Sequence, residues 1–577
     1  MHDALLEGET TVRDGVVRVL EDAGIGAVFG MPGGHTGVIY DALFDHRDRI
    51  RPVLVREESV AGIMAQVYGR LTGRPGVAIG QAAFMLSASA GALEATLSSY
   101  PMLLLTDFSV EARFAHAGAY QSGSGEYGSW DARAAFAAFT RRVVVARGGA
   151  QTVAATQLAV RHALASGGGC VAMLFPREAL RGRIRPGAPA LYAHDYDPPA
   201  LTSPRAEIER AAGLLAGARR PVLIAGNGVH RAHAYDELLA LGEELAVPVV
   251  TTAGGKSAIS ERHPLALGVF GTFGTDAANA AVADADVVLS VGSRLAPSDT
   301  ANMNPDLIAS GRQTIIAIDV EPRNLGWTYP LDCALVGDAA AVLRELHDCC
   351  ATKTHDREPG LARVGEIKQR HPWDDGRSGA PELSATDVIS ELGELLPDDA
   401  IVTADAGENR IFLTKYFRTR RAGSFLQAAG IGTMGYSMPA AMAAKLVHPD
   451  RPAVAVCGDG GFAMAMNALL TSIEEQLPIV VVVLDNTSLG WVLHGQGQRP
   501  IASEFHDFDY AAIAEAIGCR GTRVRTAAEF RTEFAGALAS DRTTVLDVRV
   551  SREPSFADVT SPLAGWERVN SGKGRKE

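Results

Sequence analysis

Residues 451–490 read RPAVAVCGDGGFAMAMNALLTSIEEQLPIVVVVLDNTSLG, and this stretch decides the fold. An apolar run, Ala453 to Cys457, has the continuous hydrophobicity of a parallel strand buried on both faces. It ends in the turn Gly458-Asp459-Gly460-Gly461. Apolar residues then recur near helical spacing from Phe462 to Ile473, and a second buried strand, Ile479 to Leu484, stops at Asp485-Asn486. Both polar clusters therefore fall at the carboxyl ends of parallel strands, where open α/β sheets bind ligands. Asp459 offers a carboxylate and Asn486, 27 residues later, an amide oxygen. Hard oxygens of this kind suit Mg²⁺ that keeps phosphate oxygens among its ligands. The glycines let backbone N–H groups approach such a phosphate at a helix N-terminus.

Working outward, the same alternation of apolar strands and amphipathic helices fills three blocks, residues 1–190, 200–352 and 380–565. It predicts an α/β protein with three doubly wound parallel-sheet domains, a number consistent with 577 residues. A Pro- and Gly-bearing linker, 185–204, and a charged connector, 351–360, separate the blocks, and 570–577 read as a disordered tail. At 47% hydrophobic and 21% charged, the chain has the composition of a globular protein with ample core. The net charge of −13, with no basic run beside aromatic residues, argues against a nucleic-acid partner. No apolar run approaches the roughly 18 residues of a membrane span. The acidic, helical start does not resemble a signal peptide, and the six cysteines show no metal-site spacing. A reduced, cytoplasmic setting is the expectation.

The GDG turn joined by a helix and a strand to Asn486 resembles the signature of thiamine diphosphate (ThDP) enzymes. The segments VFGMPGGHTGVIYDAL (28–43), IIAIDVEPRNLGWTYPLDCALVGDAAAVL (315–343) and AAGIGTMGYSMPAAMAAKL (428–446) extend the similarity across the chain, to the acetolactate synthase-like group. The resemblance implies pyrimidine-binding, central and diphosphate-binding domains in that order, with ThDP and Mg²⁺ as cofactors. It assigns the metal to Asp459, Asn486 and the backbone carbonyl of Ser488. One departure is Asp485, where the family carries asparagine. Gly407, Glu408 and Asn409 in ADAGENR would wrap the diphosphate together with Gly458, Gly460 and Gly461. The Gly432 carbonyl would accept from the pyrimidine amino group, and Met434 would wedge between the two cofactor rings.

The helix pattern Glu58-x-x-Ala61-x-x-x-Ala65-x-x-Tyr68-x-Arg70 matches the family helix whose glutamate sits beside pyrimidine N1′, although the adjacent Glu57 blurs the assignment. His35, in GMPGGH, resembles the histidine of benzaldehyde lyase-type carboligases, and Gln121 a glutamine beside the reacting carbon. Both could steady a proton on a substrate oxygen, or simply pack their loops. Trp491, Val492 and His494 are open between lining the pocket and packing. Where relatives carry a glycine-rich loop, residues 82–87 read AAFMLS, which implies a less polar acceptor site. The pair Gly226-x-Gly228 is a weak nucleotide signal; FAD in the central domain stays open but is not expected.

The resemblance implies a carboligase or carbon–carbon lyase acting on 2-keto acid or aldehyde substrates, working as a homodimer or homotetramer. A simple 2-keto acid decarboxylase and a non-catalytic ThDP-fold subunit are the alternatives. A nicotinamide oxidoreductase would fit the sheets but lacks the G-x-G-x-x-G fingerprint with its downstream acid.

Overall fold

The computed structural model describes residues 5–6, 9–109, 121–184, 192–352 and 357–562. The expected tail at 570–577, and parts of the expected linker and connector, lie outside them. Among the described residues the strands build three six-stranded, all-parallel sheets and one two-stranded antiparallel ribbon, Thr10–Thr11 with Arg183–Ile184. The doubly wound expectation holds in each block.

The first sheet contains β1 (Ala27–Gly30), β2 (Arg51–Leu54), β3 (Gly76–Gly80), β4 (Met102–Ser109), β5 (Arg142–Val145) and β6 (Cys170–Pro176), in the order β2-β1-β3-β4-β6-β5. The second contains β7 (Pro221–Ala225), β8 (Val249–Thr251), β9 (Ala266–Val269), β10 (Val287–Val291), β11 (Thr314–Asp319) and β12 (Cys333–Val336), in the order β9-β8-β7-β10-β11-β12. The third contains β13 (Ile401–Ala404), β14 (Phe425–Gln427), β15 (Ala453–Gly458), β16 (Val480–Asp485), β17 (Arg520–Val524) and β18 (Thr544–Arg549), in the order β14-β13-β15-β16-β18-β17. The first and third sheets thus share one topology. In both, the order reverses beside the first strand, which places a ligand-binding crevice between β1 and β3 and between β13 and β15.

The chain forms two compact units. One comprises Met1–Pro199, Met442–Pro449 and Ala465–Leu477; the second comprises Ala200–Ala441, Asp450–Met464 and Pro478–Glu577. Within the first unit, Glu475 accepts from the Leu54 N–H at 2.8 Å and from the Arg51 guanidinium at 3.1 Å, and Glu474 pairs with Arg56. These contacts explain why a segment so distant in sequence belongs there. Within the second, the fully buried Lys256–Glu261 pair (2.8 Å) and the Thr419 N–H that donates to Glu261 (2.7 Å) tie the central sheet's loops to the third sheet's.

Helix α1 (Glu58–Thr72) shows why its pattern carries small residues. A side chain on Gly69 would lie 2.1 Å from the Pro101 carbonyl, and one on Gly91, in the helix Ser89–Ser98, would meet the Gly62 backbone at 2.2 Å. The two helices touch backbone to backbone. The helix expected from Phe462 to Ile473 is instead two short ones, Asp459–Ala465 and Ala468–Glu474. The first starts at the end of β15, and the second restarts through tight i to i−3 bonds, Leu469 N–H to Met466 O and Leu470 N–H to Asn467 O.

Gly91→Val should destabilise the protein by about 2–4 kcal/mol, because neither backbone can retreat without opening the core. Denaturant unfolding checks this; an unchanged midpoint would contradict the close approach.

Candidate active site

The register of the third sheet creates the polar corner. Gly458 of β15 lies beside Leu484 of β16, so the residues that follow each strand, Asp459 and Asp485-Asn486, meet at the carboxyl edge. The Ser488 N–H lies 3.1 Å from both Asp459 Oδ2 and Asn486 Oδ1, and Asn486 Oδ1 also accepts from the Ser488 hydroxyl at 2.9 Å. The two predicted oxygens therefore converge on one atom. Asp459 is 2% exposed, accepts from the Gly460 N–H (2.8 Å), lies within hydrogen-bonding reach of the Asp485 carboxyl, and has no cationic side chain against it among the described residues. Burial, reinforced by the neighbouring Asp485 carboxylate, pushes its carboxyl well above the usual range. A buried anion of this kind lacks a counter-charge that a divalent cation would supply.

Asp485, the departure from the family pattern, is answered from the neighbouring strands. Its Oδ2 pairs with Arg549 at 3.2 Å, and its Oδ1 accepts from the Thr487 N–H at 3.0 Å. Among the described residues no group of three or more His, Cys, Asp or Glu side chains could hold a metal. The oxygen set at this corner is of the other kind, one that leaves room for phosphate oxygens, and it fits Mg²⁺ with a diphosphate.

Gly407, Glu408, Asn409, Met434, Gly458, Asp459, Gly460, Gly461, Asn486 and Ser488 all line one pocket, with Trp491 and Val492. Gly432 is not in the lining; it forms a left-handed turn at φ +68° just before Met434. The Met434 terminal methyl lies 3.0 Å from where a side chain on Gly460 would begin, so the glycine is the seat of the methionine. Helix α2 (Glu408–Tyr416) starts at Gly407 (φ +108°) with no side-chain cap, leaving its first N–H groups for an anion. The side chains of Glu408 and Asn409 also hold protein partners. Glu408 Oε1 accepts from His494 Nδ1 at 2.6 Å and from the Phe556 N–H at 2.8 Å, and Asn409 Nδ2 donates to the Asp405 carbonyl at 2.9 Å. A carboxylate has no reason to face a diphosphate, and here it anchors protein. His494 accordingly does not line the pocket, whereas Trp491 lines it while stacking on Phe556 with ring centroids 4.2 Å apart.

Sequence reading missed Asp405. Fully buried at the end of β13, it accepts from the Ala406, Gly435 and Ser437 N–H groups and so fixes the turn that carries Met434. Burial pushes its carboxyl up to about 6. Its signal was there: an acid directly after an apolar strand, in TADAG.

In the first unit, Glu57 caps α1 by accepting from the Ser59 N–H at 3.1 Å, while Glu58 points inward and is 9% exposed. The two adjacent glutamates are thereby told apart. The Glu58 Cγ lies 3.6 Å from where a side chain on Gly80 would begin, and burial together with the Glu58 charge pushes the Tyr40 phenol up. His35 Nδ1 lies 2.7 Å from Asp107 Oδ2, a partner that sequence reading did not find. Gln121, at φ +60°, accepts from Gln81 Nε2 at 2.9 Å, and Gln81 Oε1 accepts from the His35 N–H at 3.3 Å. The stretch 82–87 is not a simple loop: Phe84–Ala88 is a 3₁₀ turn with Met85 buried and Phe84 and Leu86 exposed. In the central sheet, side chains on Gly226 and Gly228 would strike Gly292 at 2.4 and 2.5 Å, so loop-on-loop packing accounts for that glycine pair without a nucleotide.

The fold and this corner define a cofactor-binding α/β enzyme built on two like sheets and a third. Three family models match in sequence order: thiamine pyrophosphate enzyme, N-terminal TPP binding domain over residues 10–124, central domain over 208–346, and C-terminal TPP binding domain over 405–548. The chain belongs to the thiamine pyrophosphate (ThDP) enzyme family. It is 31% identical to a probable acetolactate synthase large subunit of Methanocaldococcus jannaschii, over 96% of this chain and 93% of that protein. It is also 31% identical to an acetolactate synthase of Mycobacterium bovis (89% and 84% covered) and 29% identical to a putative thiamine pyrophosphate-containing protein, YdaP, of Bacillus subtilis (98% and 94%). No helix among the described residues is long and apolar enough to cross a membrane.

The Glu408 contact holds the His494 imidazole above its ordinary value. The pair therefore stabilises the fold fully below about pH 6.5, the unfolded value, and the stabilisation fades as pH rises through the raised folded value. His494→Ala should cost about 1–2 kcal/mol at pH 6, and less at pH 9. Unfolding of both proteins at the two pH values checks this; a pH-independent difference would refute the ion pair.

Proposed function

We propose that this protein is a ThDP- and Mg²⁺-dependent carboligase of the acetolactate synthase-like group, joining a 2-keto acid or aldehyde donor to a carbonyl acceptor. The observation that carries the reading is the buried Asp459 carboxylate, without a protein cation, meeting Asn486 beside an uncapped helix N-terminus. Bound ThDP supplies a thiazolium carbon that serves as nucleophile and electron sink.

The chain's residues bind and orient that group. Asp459, Asn486 and the Ser488 carbonyl hold the Mg²⁺. Backbone N–H groups at Gly407, Glu408 and Asn409, and at Gly458 and Gly461, receive the diphosphate, while Gly460, whose N–H is given to Asp459, makes room for Met434. The Gly432 carbonyl would accept from the pyrimidine amino group, and Met434, seated on Gly460, would pack against the cofactor rings. Glu58 holds a proton at pyrimidine N1′, favoured by its burial at the start of α1. His35 and Gln121 act on the substrate side, binding and moving a proton at the donor's oxygen. The exposed Phe84 and Leu86 give the acceptor region an apolar wall.

Glu58 and the metal corner belong to different compact units. In the proposed homodimer, or a tetramer of two such dimers, the pyrimidine-binding part of one subunit serves the diphosphate-binding part of another. Within the first unit, the apolar side chains left exposed at Met466, Leu470 and Ile473 suit burial against a second copy.

A product screen with ThDP, Mg²⁺, several 2-keto acids and several aldehydes tests the reading. Carboligated products are expected, with Glu58→Gln at least about 100-fold slower and Asp459→Ala losing Mg²⁺-dependent ThDP retention on gel filtration. Free aldehyde as sole product would move the chain to the decarboxylases; retained ThDP without turnover would make it a non-catalytic subunit. Phe84→Gly should shift acceptor preference toward larger or more polar carbonyls by about 10-fold in kcat/KM, and an unchanged panel would remove Phe84 from the acceptor site.

A further inference from the structure

We propose that Asp107 and Gln81 are positioning residues for the substrate-facing pair: Asp107 sets the tautomer that leaves His35 Nε2 an acceptor, and Gln81 orients the Gln121 amide so that its nitrogen is left to donate. The inference rests on the reading that His35 and Gln121 meet the substrate, and it adds the residues that aim them.

The geometry fixes the pattern from the backbone outward. The Ala82 N–H can only donate, and it points at Asp107 Oδ1 at 3.3 Å. Asp107 Oδ2 is left to His35 Nδ1 at 2.7 Å, and a carboxylate only accepts, so Nδ1 carries the ring proton and Nε2 keeps a lone pair. A second chain starts at the His35 N–H, which donates to Gln81 Oε1 at 3.3 Å. That orients the Gln81 amide so that Nε2 donates to Gln121 Oε1 at 2.9 Å, which in turn turns the Gln121 Nε2 hydrogens outward. Gly33 permits this arrangement, since a side chain there would lie 2.1 Å from Gln81 Oε1.

Burial makes the pattern rigid. Asp107 is 2% exposed, held in the buried strand β4, and the His35 side chain is 11% exposed. A carboxylate buried in the central part of the sheet has an evident use here: it holds the imidazole in one tautomer and stabilises the imidazolium formed when Nε2 takes a proton. The step balances simply. One proton passes from a substrate hydroxyl oxygen to Nε2, the Nδ1–H stays with Asp107, and the same proton returns to oxygen or carbon.

The test compares the ThDP- and Mg²⁺-loaded full chain with Asp107→Asn, His35→Ala and the double variant. Asp107→Asn should lower kcat about 10-fold to 100-fold, with donor KM within about twofold, and should cost little more in the His35→Ala background. Equal losses in both backgrounds, or no loss from Asp107→Asn while His35→Ala is impaired, would overturn the proposal. No loss from His35→Ala would instead remove the underlying reading of His35. A readout independent of turnover is ¹⁵N NMR of the histidine-labelled wild-type chain, with His35→Ala assigning the signal. It should show a protonated Nδ1 and a bare Nε2 on His35, and the opposite tautomer would refute the assignment even if Asp107→Asn fails to fold.

Discussion

A carboxylate buried without a counter-charge is the constraint on which the diphosphate-side pocket depends. Asp459 is held where β15 ends, and two N–H donors do not neutralise it. The parallel register of β15 and β16 brings Asn486 to the same point and brings Asp485 with it. The protein answers Asp485 with Arg549 and leaves Asp459 open. A corner of net negative charge, backed by glycine and by the free N–H groups of α2, suits a cation that itself carries phosphate.

Around that corner the buried polar side chains hold the protein's own segments. Asp405 gathers three N–H groups and fixes the Met434 turn, while Glu408 holds His494 and the Phe556 backbone. Gly461 has no side chain because Asp405 Oδ1 would lie 2.8 Å from it. Such satisfied networks give a rigid frame at the strand ends, which is what a precise binding site requires.

The first and third sheets share a strand order, and each carries its polar residues beside its first strand, where that order reverses. His35 follows β1 and Gln81 follows β3; Gly407 follows β13 and Asp459 follows β15. The central sheet has the other doubly wound order, and its Gly-x-Gly pair is occupied by packing against Gly292. The same residue type thus serves ligand approach in one sheet and loop contact in another, and only what surrounds each glycine distinguishes them.

The central strands were legible because parallel sheets bury both faces, and continuous apolar runs such as 479–484 have few other readings. The GDG turn, Asn486 and the small residues of α1 were legible because spacing along one strand–helix unit is local. Helix register favoured Glu58 over Glu57, but the cap that claims Glu57 was not legible. Nor were the Asp107–His35 contact, joined across 72 residues, or the Glu408–His494 contact, joined across 86. Sequence by itself determined the α/β succession, the most apolar strands such as β15 and β16, and the chemistry available at their ends; strands such as β5 (Arg142–Val145) and β14 (Phe425–Gln427) are too short to stand out. Tertiary structure alone decided which acids meet a partner and which stay uncompensated, because charge balance in a buried site is set by neighbours brought together through sheet order and register.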